Sequence, residues 1–273
     1  MDSLEEIARR LRCNIIKMIA EAASGHPGGS LSAVEIMTVL WFGQILRYRP
    51  DELGWEGRDR FILSKGHAAP VLYATMAEAG FIETSELLSL RKLDSRLQGH
   101  PDMLSLPGLE ASTGSLGQGL SIATGMALGL GLDGGNQRVF CLLGDGECQE
   151  GQVWEAVMFA AASKLSNLVA IVDVNGLQID GAVKDICDVG DLAAKFKQFG
   201  WLALEVNGHD MAALQAAFAE VLESEFEGPR VIIAHTVKGK GVSFMEDQAG
   251  WHGKAPSPEE CRLALQELGE AHE

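Results

Sequence analysis

The stretch CLLGDGECQEGQVWEA, residues 141–156, decides how the rest of the chain is read. An apolar run stops at Gly144, one acid stands between two glycines at Asp145, and a helical pattern begins directly behind Gly146. The run is apolar at consecutive rather than alternate positions, which marks a strand covered on both faces. Moving outward, strand RVFCLL (138–143) leads to helix EGQVWEAVMFAAASK (150–164) and strand NLVAIVDVN (167–175). Past a loop come strand WLALEVNG (201–208), helix DMAALQAAFAEVLES (210–224) and strand RVIIAH (230–235). Strands of this kind, joined by helices long enough for a crossover, predict an α/β fold: a doubly wound parallel sheet with helices on both faces.

Toward the N-terminus, Leu4, Ile7, Leu11, Ile15, Met18 and Ile19 recur at helical spacing, so residues 4–22 form an amphipathic helix ended by the turn Ser24-Gly25-His26-Pro27. Further helices are expected over residues 33–46 and 69–80, with a short strand, RFILS, at 60–64 between them. The segment TGSLGQGLSIATGMALGLGL (113–132) is rich in glycine and alanine, as suits a helix packed very closely on its neighbours. After Gly239 the chain reads as loop and then a short final helix. No internal repeat or proline-rich linker divides it, so residues 1–273 are expected to be one domain.

With 47% hydrophobic residues over 273 positions, there is material for a sizeable core. A formal charge of −16 argues against nucleic acid or an anionic membrane as partner, because both require clustered Lys and Arg. Any phosphate must therefore be neutralised locally. The five cysteines (Cys13, Cys141, Cys148, Cys187, Cys261) include no CxxC pair, which speaks against zinc and against a disulfide scaffold and for a reducing cytoplasm. The opening MDSLEEIARR carries no apolar export signal, and no apolar run reaches the length that spans a bilayer.

Ligands of an open parallel sheet bind beyond the carboxyl ends of its strands, where Asp145 stands. Asn175 ends the next strand, thirty positions later. An Asp carboxylate, an Asn side-chain carbonyl and a nearby backbone carbonyl are hard oxygen ligands for Mg²⁺ or Ca²⁺, and Mg²⁺ commonly completes its shell with a bound phosphate. Gly-Asp-Gly alone is an ordinary tight turn; its pairing with Asn175 points to a diphosphate. His26, His67, His100 and His252 each stand beside a glycine in a loop at an element end, and imidazoles can exchange protons with sugar hydroxyls near neutral pH. Lys238 and Lys240, in VKGKG, offer local positive charge without the spacing of an ATP-binding P-loop.

GDG followed by Asn some thirty positions on resembles the thiamine diphosphate enzymes, and the wider pattern is similar to the transketolases. The segments that carry the resemblance are SGHPGGSLSAVEI, RDRFILSKGHAAPVLY, LQGHPD, STGSLGQGLSIATGMA, LLGDGECQEGQVWEA and VKGKGVSFMEDQAGWHGKAP, in that family's order and over nearly the whole chain. The resemblance implies the family's diphosphate-binding fold. It implies Asp145, Asn175 and the Leu177 carbonyl as ligands of Mg²⁺, with Ca²⁺ or Mn²⁺ able to substitute. Thiamine diphosphate would be bound by His67, Gly114, Ser115, Leu116, Gly144, Asp145, Gly146, Glu147, Asn175, Lys238 and His252. His26, His67, His100 and His252 would be catalytic, with His26 and His100 on substrate hydroxyls. Glu150 is explained by the positive end of the helix it opens, although its family counterpart lies at a subunit contact. His209, His235 and His272 have no such counterpart and are read as structural, and Cys141 and Cys148 as packing.

A full transketolase is more than twice this length, and its second half supplies the glutamate that activates the thiazolium ring. Only APSPEECRLALQELGEAHE follows Lys254, so the chain is expected to be the N-terminal subunit of a split transketolase that works with a separate C-terminal chain, in an α2β2 assembly, on sugars or sugar phosphates. The small-residue helix at 117–132 is a candidate partner surface. The alternatives are the α subunit of a 2-oxo-acid dehydrogenase or a related thiamine diphosphate enzyme, and a non-catalytic binding relative.

Overall fold

A computed structural model describes residues 2–270. Helix α1 (Leu4–Ala22) starts on a capping box in which the Ser3 hydroxyl accepts from the Glu6 amide and the Glu6 carboxylate accepts from the Ser3 amide. It is followed by α2 (Pro27–Ser32), α3 (Val34–Phe42), β1 (Arg60–Leu63), α4 (Ala69–Glu78) and α5 (Gln118–Leu132). The central unit is β2 (Val139–Gly144), α6 (Gly151–Ala162) and β3 (Leu168–Val174). A small hairpin of β4 (Leu177–Gln178) and β5 (Gly181–Ala182) leads through α7 (Val183–Cys187) and α8 (Leu192–Gln198) to β6 (Leu202–Asn207). The chain closes with α9 (Met211–Glu223), β7 (Arg230–His235) and α10 (Pro258–Glu267).

Five strands pair in parallel in the order β1-β2-β3-β7-β6. Alternate residues of each strand feed two separate cores. Phe61, Phe140, Leu142 and Ile171 pack on one face with α1, α3, α4 and α9, while Ile62, Cys141, Leu143, Ala170 and Val172 pack on the other with α5, α6 and α8. Double burial is why the two central strands, β2 and β3, are apolar at every position but Gly144 and Asp173. Each fully buried Val, Leu or Ile contributes about 1.5–3 kcal/mol relative to an exposed one. Cys141 and Cys148 lie within the second core as buried free thiols.

Several elements depart from the expectations. Residues 27–32 form a helix rather than a continuation of the turn: Pro27 opens it with a preset φ, and complete burial of all six residues outweighs the poor propensity of two glycines. Helix α5 begins at Gln118 rather than near Thr113, because Gly117 takes a left-handed conformation (φ 84°) that a helix interior does not allow. Helix α3 stops at Phe42, short of the expected end. The hairpin, α7 and α8 fill the stretch expected as loop; each is too short to show a period. His272 lies outside the described residues.

Candidate active site

Four adjacent strands end at one place. Beyond β1 come Lys65 and His67, beyond β2 Asp145 and Gly146, beyond β3 Asn175 and Leu177, and beyond β7 Lys238. These residues line a cavity of about 380 Å³, together with His26 at the start of α2, His100 from the loop before α5, and His252. Gly114, Leu116, Gly144 and Glu147 also line it, whereas Ser115 is exposed and outside the lining. Helix α5 reaches the site because Gly119 has no side chain: a Cβ there would stand 2.6 Å from the Ser64 Cα.

The Asp145 carboxylate is only 5% exposed and accepts from the backbone amides of Gly146 (2.9 Å) and Gly176 (2.7 Å). Burial, with the charge of Asp173 as a second cause, raises its pKa to about 6, so the carboxylate stands to gain from a cation. Asn175 turns its side-chain oxygen to the Leu177 amide (3.2 Å), while its amide nitrogen donates to Asp173 (3.3 Å), which fixes which end of the side chain faces the loop. The Leu177 carbonyl accepts from Lys238 Nζ at 2.9 Å. Among the described residues no three His, Cys, Asp or Glu side chains converge to hold an ion. A metal here would take one carboxylate and neutral oxygens, the donor set that suits Mg²⁺ with a phosphate.

Lys238 is 2% exposed, and its Nζ also donates to His252 Nδ1 at 3.0 Å, which leaves the His252 proton on Nε2. Burial lowers the lysine to about 8, so most of it is charged at pH 7. The histidines form one group. His26 lies 5.4 Å from His67, 6.2 Å from His100 and 5.5 Å from His252 between ring centroids, and His67 stacks on His252 at 5.0 Å. Burial is the first cause of a lowered pKa at all four, to about 4 for His26 and about 3 for His252. They are neutral imidazoles at pH 7, able to accept a proton or hydrogen-bond a hydroxyl. Among the described residues, His26 Nδ1 is buried without a partner.

Two features were not anticipated from sequence. Asp173, fully buried in β3, pairs with Lys65 and accepts from the Ser32 hydroxyl (2.6 Å) and the Thr236 hydroxyl, and Lys65 also donates to the Gly29 carbonyl at 2.8 Å. One ion pair thus ties α2 to the ends of β1, β3 and β7. The signal was a lone acid inside an apolar strand, NLVAIVDVN. Glu147, expected at the cofactor, lines the cavity while its carboxylate is bonded within the protein: it accepts from the Ser64 hydroxyl and from the amides of Gly117 (2.8 Å) and Gly144 (3.0 Å). It therefore sets the shape of the Gly-Asp-Gly turn. His235 pairs with Glu205 on the surface, and His209 is bonded on both ring nitrogens to protein.

Residues 3–273 match the family described as Transketolase, thiamine diphosphate binding domain. The chain is 45% identical to the transketolase of Homo sapiens over 98% of its own length and 42% of that protein's. It is 42% identical to one subunit of the apulose-4-phosphate transketolase of Actinobacillus succinogenes, over 98% of this chain and 96% of that one. Among solved structures, transketolase from Campylobacter jejuni superposes with a TM-score of 0.91 at 33% identity, over 98% of this chain and 43% of that one. The chain thus spans less than half the length of the full-length transketolases it resembles.

Proposed function

The chain belongs to the transketolase family as its thiamine diphosphate binding domain, and from that premise we propose that it is the N-terminal subunit of a two-chain transketolase moving a two-carbon ketol unit from a ketose to an aldose. The observation that carries this reading is the convergence of Asp145, Asn175, Lys238 and four histidines on one cavity at the carboxyl end of the sheet. Near-complete overlap with a relative whose own name makes it one subunit of a transketolase supports the two-chain form.

Asp145, Asn175 and the Leu177 carbonyl would hold Mg²⁺ against the diphosphate, and Lys238 would add charge there. The neutral rings of His67 and His252 are available to the cofactor and the reacting centre, and those of His26 and His100 to the sugar hydroxyls. When bound, thiamine diphosphate supplies the nucleophilic carbon on which ketol transfer depends. The protein's share is orientation, metal binding and proton exchange. A C-terminal subunit would complete the site in an α2β2 assembly. The outer face of α5, where a Cβ on Gly125, Gly129 or Gly131 would meet nothing within 4 Å among the described residues, and the exposed Met158 and Phe159 of α6 support a docking surface there. Five free cysteines suit a reducing cytoplasm, and among the described residues no helix is long and apolar enough to cross a membrane.

The test is complementation. The chain is mixed with a C-terminal transketolase chain, thiamine diphosphate and Mg²⁺, and offered xylulose 5-phosphate, apulose 4-phosphate or pyruvate. Ketol transfer to an aldose from either sugar is expected only with both chains present. Reduction of an acceptor dye with pyruvate, without ketol transfer, would identify a 2-oxo-acid dehydrogenase instead.

A further inference from the structure

Among the polar groups that the proposed chemistry leaves unused, two buried charges and a partly buried histidine meet away from the cavity. Arg12 in α1 and Glu35 in α3 are each 7% exposed and paired at 2.6 Å. The second carboxylate oxygen of Glu35 accepts from His209 Nδ1 at 2.9 Å. His209 Nε2 in turn accepts from the backbone amide of Val237 at 2.7 Å, so the ring is held as the Nδ1-protonated tautomer, wedged between a carboxylate and a main-chain donor. Arg12 reaches the same loop further along, donating from Nε to the Lys240 carbonyl at 3.0 Å. The two ends of this chain of bonds thus grip residues 237 and 240. Lys238 lies between them.

Packing leaves the lysine little room to drift. A Cβ on Gly28 would meet Lys238 Cγ at 2.9 Å, and the Gly28 carbonyl accepts from the Gly239 amide at 3.0 Å. Whatever fixes the main chain at 237 and 240 therefore fixes where Nζ emerges beside the Leu177 carbonyl and His252.

We propose that Arg12, Glu35 and His209 are a positioning brace for Lys238, with His209 the contact that sets its reach into the diphosphate site. His209 touches neither the cavity nor any group assigned to the cofactor, so it acts only through the loop. This rests on the reading of the cavity as a thiamine diphosphate site.

A double-mutant cycle on the two-chain complex tests it. Dissociation of thiamine diphosphate in saturating Mg²⁺ is measured by calorimetric titration for the unaltered protein, His209→Ala, Lys238→Met and the double variant, with unfolding midpoints recorded for each. His209→Ala is expected to weaken binding by about tenfold in the presence of Lys238 and by less than about twofold when Lys238 is already Met. His209→Gln, which keeps an acceptor for Val237 and a donor for Glu35, is expected to restore most of the affinity, and His209→Leu, which removes both bonds, replaces His209→Ala in the cycle where the alanine variant does not fold. Equal losses in both Lys238 backgrounds, or undiminished affinity in His209→Ala, would overturn the brace. No binding by the unaltered complex would overturn the cofactor reading itself, and the brace with it.

Discussion

Asp173 is a carboxylate without exposed surface in a strand otherwise made of Leu, Val, Ala and Ile. Its tolerance there depends on Lys65, itself 1% exposed, and on hydroxyls from Ser32 and Thr236. The lysine and hydroxyls hold its pKa below the usual carboxylate range, although burial alone would raise it. Removing one member of such a pair strands the other charge. Asp173→Ala is expected to cost about 3–5 kcal/mol in urea unfolding, whereas the paired change Asp173→Leu with Lys65→Met is expected to recover most of that stability. If the single variant were no less stable than the parent, the pair would not be the tie between elements described here. At this scale the sequence is informative where chemistry repeats in short motifs. Asp145, Asn175 and the four histidines stand in turns whose composition gives them away. Lys65 and Asp173 escape a reading of the sequence because they lie 108 positions apart, and nothing local announces a pairing across that distance. Glu147 has the look of a ligand because it follows Gly-Asp-Gly. Its partners, Ser64 and Gly117, come from other elements.

The histidine group is a property of elements rather than of any one residue. His26 caps α2, His67 follows β1, His100 precedes α5 by a long loop, and His252 ends the turn before α10. Above about pH 6.5 these rings are neutral in both folded and unfolded chains. As pH falls below that, the unfolded chain takes up protons that the folded one refuses until about 4 at His26 and about 3 at His252. The stability present above 6.5 is therefore lost on descending through this window. Replacing both residues with glutamine should flatten the fall in unfolding midpoint between pH 7 and pH 5. A benefit of about 1 kcal/mol per ring at pH 5 allows for solvent screening of these partly open groups. An unchanged slope would mean that the rings are not desolvated as the structure places them. Long elements with a clear period are readable, down to the first and last residues of α1. Short ones are not: α2 owes its helix to burial, and α7 and α8 have too few residues for periodicity to emerge.

At the scale of the molecule, sequence legibility follows from double burial. Strands apolar on both faces announce the parallel sheet, although nothing in them fixes the order that sets β7 between β3 and β6. That order matters, because it brings Thr236 and Lys238 beside the end of β3 and so places positive charge next to Asp145 and Asn175. An acidic protein of net charge −16 can accept a diphosphate only through such local compensation. On the proposed reading, a metal held by Asp145, Asn175 and the Leu177 carbonyl would join thiamine diphosphate to this sheet end. Calorimetric titration of thiamine diphosphate into the two-chain complex, with Mg²⁺ and again after its removal by a chelator, tests it most directly. Saturable binding with Mg²⁺ is expected, falling at least about tenfold on chelation, with the same loss in Asp145→Asn when Mg²⁺ is present. Equal affinity with and without the metal, or undiminished affinity in Asp145→Asn, would contradict it.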